Sequence, residues 1–196
     1  MSEPVFYYDF NSPFAYIAAH RVDDVLPVPP RWQPIAFGFL LIAQQRVPWS
    51  FDSETREPTM RDCERRAAAL GLPLRWPEGW PRENYSLMPL RAAVIAERHG
   101  RLREFSRAVF RWNFGETGRL DDIDTIARAA EDADLEPQEV RAHIADDDVK
   151  QAVKDATDAA IDLGVFGVPT VQVGDELFWG DDRLEEASAA LEVATG

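Results

Sequence analysis

Residues 11–15, Asn-Ser-Pro-Phe-Ala, place a serine hydroxyl where a predicted strand meets a predicted helix. Ser12 is a good N-cap residue, and Pro13 suits the first helical turn. The free N–H groups and the dipole at a helix start favour an anion, and the Ser12 hydroxyl could donate a hydrogen bond to a thiolate. The segment therefore has two interpretations, a thiolate site or a simple helix cap, and taken alone it favours the cap.

A second candidate is residues 164–170, Gly-Val-Phe-Gly-Val-Pro-Thr, in which Pro169 stands at the start of a predicted strand. Proline cannot donate a ladder hydrogen bond, so its presence there must serve backbone geometry. A cis Val168–Pro169 bond would turn the N–H and C=O of Val168 outward, where a peptide-like ligand could pair with them. The alternative is an ordinary trans proline, which base rates favour.

A third candidate is residues 179–183, Trp-Gly-Asp-Asp-Arg. Asp182 and Glu185 fit a capping box for a final helix. The functional alternative is recognition of an amino-acid group, in which backbone N–H groups bind a carboxylate and Asp182 pairs with an ammonium. Without further context the pattern favours the cap.

The elements that must position these motifs begin with a β-α-β pattern. Residues 4–9 predict a buried strand, and the helix that follows the first motif ends before Pro27. Residues 31–39 predict a second strand despite Pro34, and the polar residues 44–59 predict a loop.

The middle of the chain is helical in pattern, and the end returns to strands. Six helices are predicted, near residues 59–70, 86–99, 101–113, 122–131, 137–145 and 149–163. Two strands joined by Gly174-Asp175 then predict a hairpin, and residues 182–193 predict a closing helix. We interpret residues 1–58 and 149–196 as one α/β domain into which a helical domain, residues 59–148, is inserted.

Composition restricts the partners. The 196 residues include 35 acidic and 21 basic side chains, for a net charge of −14, and such a surface repels nucleic acid and anionic lipid. We therefore expect a small-molecule ligand, no nucleic-acid or membrane partner and, since no leader or spanning segment is recognised, a cytoplasmic protein. Cys63 is the one cysteine, which excludes an intrachain disulfide and a CxxC pair, and the three histidines form no metal motif.

Taken together, the motifs resemble the 2-hydroxychromene-2-carboxylate isomerase family and the kappa-class glutathione transferases, which belong to the DsbA-like branch of the thioredoxin superfamily. The resemblance runs from Tyr8-Asp9-Phe10-Asn11-Ser12-Pro13-Phe14-Ala15-Tyr16 through residues 62–66, 71–73, 81–84 and 91–92 to residues 164–169 and 180–183. It implies an α/β, thioredoxin-like fold of the DsbA/kappa type with a large all-helical insertion. It also implies that the protein could form a homodimer, as its relatives do.

The resemblance further implies a cofactor, glutathione or another low-molecular-weight thiol. Ser12 would be the catalytic residue beside the sulfur, Val168 before cis-Pro169 would pair with the cysteinyl part, and Asp182 would meet the γ-glutamyl ammonium. Asp181 would stand beside the γ-glutamyl carboxylate, which its extra charge would oppose. Relatives carry an Asn after the second strand and a Lys before the first inserted helix; here Arg56 is the basic residue that could meet the glycyl carboxylate.

The expected substrate is a small aromatic or electrophilic molecule. Its wall would be formed by aromatic and amide side chains that are equally compatible with core packing: Phe14, Trp76, Trp80, Asn84 and Tyr85. The resemblance implies an isomerase of an aromatic or chromene-type carboxylate, with a general transferase or a non-catalytic thiol-binding relative as alternatives. A dithiol oxidoreductase is disfavoured because no cysteine lies near Ser12.

Overall fold

The computed structural model describes residues 3–195, with side chains to residue 193, and its centre is a four-stranded mixed sheet. The strand order is β2-β1-β3-β4. β1 pairs in parallel with β2 and antiparallel with β3, which pairs antiparallel with β4. The strands are β1 (Val5–Tyr8), β2 (Arg31–Pro34), β3 (Thr170–Val173) and β4 (Glu176–Trp179).

β1 is a central strand, and its side chains alternate between two apolar layers. Phe6 and Tyr8 belong to the larger core, whereas Val5 and Tyr7 belong to a smaller cluster on the opposite face. This period of two is the pattern expected of a strand covered on both sides. The chain continues from β1 into helix α1 (Pro13–Ala19), which confirms the predicted β-α opening, but the one helix expected to reach Pro27 is divided at residues 20–21, and a short helix α2 (Val22–Val25) follows.

The prediction of a strand over residues 31–39 was wrong beyond Pro34. β2 ends there, and helix α3 (Phe37–Ala43) follows. The first N–H groups of this helix find partners far away in sequence, because Ala36 donates to Thr157 Oγ1 at 3.0 Å and Phe37 donates to Asp9 Oδ2 at 2.9 Å. Tertiary hydrogen bonds thus start a helix where the local sequence contains no cap signal.

The prediction of a loop over residues 44–59 was wrong for the last residues of that segment. The segment also contains a short 3₁₀ turn, Trp49–Phe51. Helix α4 (Arg56–Ala69) begins three residues earlier than expected. Pro58 lies in its first turn, where the missing N–H of proline leaves no intrahelical bond unmade. Pro58, which the sequence analysis interpreted as part of a loop, therefore marks the start of a helix.

The other predicted helices are present. They are α5 (Leu87–Arg98), α6 (Leu102–Phe110), α7 (Ile123–Asp132), α8 (Pro137–His143) and α9 (Asp147–Asp162). A π-helical turn, Arg111–Gly115, continues α6. At the end of the chain a 3₁₀ turn, Asp181–Arg183, precedes α10 (Leu184–Thr195).

Aromatic side chains join the sheet to the inserted helices. The ring centroid of Phe10 lies 5.3 Å from that of Phe110 and 6.4 Å from that of Phe105, and Tyr8 packs on Phe110 at 5.8 Å. The Tyr8 hydroxyl shares a 2.6 Å hydrogen bond with Ser106 in this buried layer. The strand end that leads to Ser12 therefore rests directly on α6 and its π-helical turn.

Thr157 is expected to hold α3 against α9. Its hydroxyl accepts the Ala36 N–H and donates to the Val153 carbonyl at 2.8 Å. Thr157→Val should lower the free energy of unfolding by about 1 to 3 kcal/mol, because the buried Ala36 N–H loses its acceptor. Urea denaturation measures this loss. Thr59→Val in α4, whose hydroxyl makes no such bond, should change stability by less than about 0.5 kcal/mol, and equal effects of the two variants would contradict the interpretation.

Candidate functional site

A cleft of about 660 Å³ opens where the end of β1, the start of α3 and the β4–α10 turn converge. The loop after α3 and the segment 80–86 complete the walls of the cleft. Most of the predicted site residues line this cleft: Ser12, Phe14, Trp80, Tyr85, Val168, Pro169, Asp181 and Asp182. Motifs that are up to 170 residues apart in sequence thus face a common space.

Ser12 both caps helix α1 and faces the cleft. Its Oγ accepts the Ala15 N–H at 3.2 Å, and its own N–H donates to the Asp9 carbonyl at 3.1 Å. The cap uses one acceptor lone pair of the hydroxyl, whereas its proton has no acceptor in the part of the chain that the structure describes. The cap and the ligand-binding interpretations are therefore compatible, and the hydroxyl remains able to donate into the cleft.

Asp9 is a carboxylate of the cleft that the sequence analysis did not single out. It is 3% exposed, and it accepts the N–H groups of Asn11 and Phe37, each at 2.9 Å, together with the side chain of Ser86. Burial raises its pKa, and these hydrogen bonds act in the opposite direction by stabilising the charged form. Asp9 thereby joins the loop before Ser12 to the starts of α3 and α5.

Asn84 is completely buried and does not line the cleft, which corrects its prediction as a substrate-wall residue. Its Nδ2 donates to Asn11 Oδ1 at 3.2 Å and to Asn113 Oδ1 at 2.8 Å, and its Oδ1 accepts the Leu120 N–H at 2.8 Å. Asn113, on the π-helical turn, donates in turn to the Phe10 carbonyl at 3.1 Å. The amide network fixes Phe10 and Asn11, the two residues that lead to Ser12.

The Val168–Pro169 peptide bond is cis, as the sequence analysis considered, and so is Trp80–Pro81, which it did not foresee. The side chain of Val168 is buried, yet neither its N–H nor its C=O has a hydrogen-bond partner among residues 3–195. The Pro169 carbonyl accepts the Gly180 N–H at 2.9 Å, which brings the β4–α10 turn beside Val168. The Val168 backbone is consequently free to pair with an extended ligand.

The two neighbouring carboxylates of the β4–α10 turn share one arginine. Arg66 Nη1 lies 3.0 Å from Asp181 Oδ1 and 3.4 Å from Asp182 Oδ2, and its Nε lies 2.7 Å from Asp62 Oδ2. Burial raises the pKa of Asp181, while Arg66 favours its charged form. The charge expected to repel a ligand carboxylate is therefore balanced by Arg66, whose i,i+4 spacing from Asp62 was the available sequence signal.

Aromatic side chains form the apolar wall. The ring centroids of Phe14 and Trp49 lie 6.0 Å apart, and those of Trp49 and Trp80 lie 5.6 Å apart. Trp76 packs on Trp80 at 4.6 Å but does not reach the cleft, whereas Tyr85 stands at its mouth with 68% of its surface exposed. Trp49, Phe37, Leu41 and Phe51 also line the cleft, and sequence analysis missed them because it treated their segment as strand and loop.

A family model of the DSBA-like thioredoxin domain matches residues 5–192. The chain belongs to this family. It is 27% identical over 192 residues to 2-hydroxychromene-2-carboxylate isomerase of Pseudomonas putida, covering 95% of this chain and 92% of that protein. A solved structure of 2-hydroxychromene-2-carboxylate isomerase matches with a TM-score of 0.88 at 26% identity, covering 99% of this chain and 96% of the other.

A cytosolic disulfide reductase, DsbM from Pseudomonas aeruginosa with GSH, matches at 17% identity with a TM-score of 0.68, covering 99% of both chains. That likeness is one of fold. Together these matches confirm the predicted α/β, thioredoxin-like fold of the DsbA type with its helical insertion and the similarity to the isomerases. Within the described range, no helix is both long and apolar enough to cross a bilayer.

Arg56, the expected carboxylate-binding residue, and Cys63, the one cysteine, both lie outside the cleft. Arg56 does not line it, because its guanidinium donates to the Trp80 carbonyl at 2.8 Å and so supports the wall from behind. Cys63 is buried, and burial raises the pKa of its thiol, which disfavours the nucleophilic thiolate. No group of three or more His, Cys, Asp and Glu side chains suited to a metal ion occurs in the described residues.

Substitutions of Asn84 and of its exposed neighbour Tyr85 should have different effects on stability, because Asn84 holds a buried hydrogen-bond network and Tyr85 only lines the cleft. Asn84→Ala removes the partner of two buried groups and of the partly buried Asn11 Oδ1, and it should lower the free energy of unfolding by about 2 to 4 kcal/mol. Tyr85→Ala should change stability by less than about 0.5 kcal/mol, because its ring is largely in solvent. Thermal and urea denaturation of both variants would show this contrast, and an unchanged Asn84→Ala would refute the network interpretation.

Arg66→Gln should destabilise the protein by about 1 to 3 kcal/mol at neutral pH, because Asp181 would be left buried and unpaired. In the wild type, folding already raises the pKa of Asp181, so this carboxyl favours the folded state at low pH and the contribution is lost as pH rises through its folded pKa. Removing Arg66 raises that pKa further. The destabilisation should therefore shrink as pH falls and Asp181 becomes protonated.

Urea denaturation at a series of pH values measures the free energy of unfolding of wild type and Arg66→Gln. The double variant Arg66→Gln/Asp181→Asn is measured for comparison. Because the double variant has no unpaired carboxylate at residue 181, it should recover much of the loss at neutral pH. Arg61→Gln, which breaks only the exposed pair with Glu57, should cost less than about 0.5 kcal/mol. A destabilisation by Arg66→Gln that does not vary with pH would contradict the proposed charge balance.

Proposed function

We propose that the protein is a glutathione-dependent isomerase of an aromatic or chromene-type carboxylate. The observation that carries the proposal is the Ser12 hydroxyl, free to donate, in the same cleft as the unpaired N–H and C=O of Val168. The similarity to enzymes named 2-hydroxychromene-2-carboxylate isomerase supports the reaction class.

The cleft offers groups that fit the parts of a γ-glutamyl thiol. The Val168 backbone would pair with the cysteinyl part, and the carboxylate of Asp182, which is 60% exposed, would meet the ammonium. Ser12 would hold the sulfur in its thiolate form by donating a hydrogen bond to it. Ser12-Pro13-Phe14-Ala15 contains no cysteine, so the site does not support dithiol exchange.

The bound thiol would supply a nucleophile for reversible addition to an electrophilic carbon, so that bond rotation and expulsion of the thiol complete an isomerisation with no net oxidation. The chain itself would orient the two reactants. Phe14, Trp49 and Trp80 form a wall against which an aromatic substrate can stack beside Ser12. The apolar wall would also exclude water from the bound thiolate, which raises its reactivity, and the Ser12 hydrogen bond would offset the cost of that desolvation.

Calorimetric titration of glutathione into wild type, Ser12→Ala and Asp182→Ala is the first test. We expect binding to wild type, with Asp182→Ala weakening it about 10-fold through loss of a charge-assisted hydrogen bond. Ser12→Ala should return the pKa of the bound thiol toward its free value by about one unit, because one hydrogen bond to the thiolate is lost. Ultraviolet absorbance of the thiolate across a pH series measures this shift.

Ser53→Ala and Asp175→Ala, which remove exposed side chains outside the cleft, are the matched controls and should bind glutathione as wild type does. No binding at millimolar glutathione would overturn the assignment of glutathione. Binding with chromene isomerisation would support the proposal. Conjugation of simple electrophiles without isomerisation would indicate a transferase, and binding with neither reaction would indicate a non-catalytic thiol-binding protein.

A further inference from the structure

Arg46, in the loop after α3, lines the cleft and is held there by aromatic stacking. Its Cζ lies 3.5 Å from the ring centroid of Phe166 and 6.0 Å from that of Trp179. Its Nη1 donates to Gln44 Oε1 at 2.6 Å and to the Phe166 carbonyl. Gln44 in turn donates to the Val165 carbonyl at 3.0 Å, so the loop and residues 165–166 hold one another.

The guanidinium of Arg46 has no carboxylate partner in the described chain, and its hydrogen bonds there come from Nη1, which leaves Nε and Nη2 without one. The other cation that lines the cleft, Arg66, is already shared by three carboxylates. Burial also lowers the pKa of Arg46, which reflects a charge partly removed from water without a counter-ion.

Arg46 and Asp182 supply opposite charges to the same cleft. Asp182 lies on one side of the Pro169–Gly180 contact, in the β4–α10 turn, and Arg46 packs on the residues just before Val168. An extended ligand paired with the Val168 backbone could therefore present a cation to Asp182 and an anion to Arg46. A planar guanidinium with two free nitrogen positions is suited to a carboxylate, which it can bind through two hydrogen bonds.

We propose that Arg46, stacked on Phe166 and Trp179, is the carboxylate-binding residue of the cleft. The choice of ligand rests on the proposed function. The carboxylate can belong to either of the two ligands proposed there, the thiol or the aromatic substrate. Phe166 and Trp179 keep the guanidinium oriented without neutralising it. Where the carboxylate is that of glutathione, Arg46 takes the role that the sequence analysis gave to Arg56.

Calorimetric titrations with two pairs of probes test this. One pair is glutathione and its glycyl ethyl ester, and the other is 2-naphthoate and 2-naphthamide; within each pair only the carboxylate changes. Wild type should prefer the acid member of at least one pair by about 10-fold, as expected for a charge-assisted bidentate contact. Arg46→Gln should abolish that preference, and Arg46→Lys should retain part of it because the charge remains while the fork is lost.

Arg128→Gln is the matched control, because Arg128 also lies over an aromatic ring, 5.5 Å from the centroid of Trp112, but outside this cleft. It should bind all four probes as wild type does. Preference within the glutathione pair would assign Arg46 to the thiol, and preference within the naphthoate pair would assign it to the substrate. Thermal denaturation of each variant confirms that altered binding is not a loss of folding.

The proposal is overturned if Arg46→Gln keeps the acid preference of wild type, or if wild type binds no acid probe at millimolar concentration. Failure of the proposed function gives a different result. If wild type does not bind glutathione but binds 2-naphthoate in an Arg46-dependent manner, the glutathione assignment fails while the carboxylate site stands. If wild type binds glutathione and its ester equally, and neither naphthalene probe depends on Arg46, the carboxylate site fails while glutathione binding stands.

Discussion

The carboxylate of Asp9 lies at the end of β1, almost fully removed from water, and two backbone N–H groups from different segments donate to it. Burying a carboxylate is costly unless hydrogen bonds compensate, so the groups that compensate are held in place. One donor, Asn11, begins the turn that presents Ser12, and the other, Phe37, begins the helix that forms the opposite wall. The turn that presents Ser12 and the start of α3 are therefore tied to the same buried acceptor.

The inserted helices contribute to the same turn through neutral amides. Asn84 and Asn113 lie beneath Phe10 and Asn11 and satisfy buried backbone groups on both sides. A π-helical turn places Asn113 there, and such turns occur often at functional sites. The helical region thus supplies a rigid base for the strand-to-helix junction, in addition to the aromatic wall that carries Trp80.

Charge in the cleft is arranged in two unlike regions. In one, Arg66 balances several carboxylates of α4 and the β4–α10 turn; in the other, Arg46 remains without a counter-ion between exposed aromatic rings. In a protein of net charge −14 the long-range field repels anions. Local, partly dehydrated cations are then needed if an anionic ligand is to be retained, since screening weakens only the distant charges.

Outside residues 35–59, the sequence by itself determined the element order, the two ends of the α/β unit and the motifs at Ser12, Val168–Pro169 and Asp182, because these depend on local pattern and on motif order and spacing. It misjudged residues 35–59, since the N–H groups at the start of α3 donate to Asp9 and Thr157, which are distant in the chain. It also could not separate Trp80, which lines the cleft, from Asn84, which is buried, because both belong to the same polar and aromatic segment. Only the tertiary structure decided that Arg46 faces the cleft and that Arg56 supports its wall, because the direction of a long side chain is set by its packing partners and not by its position in the sequence.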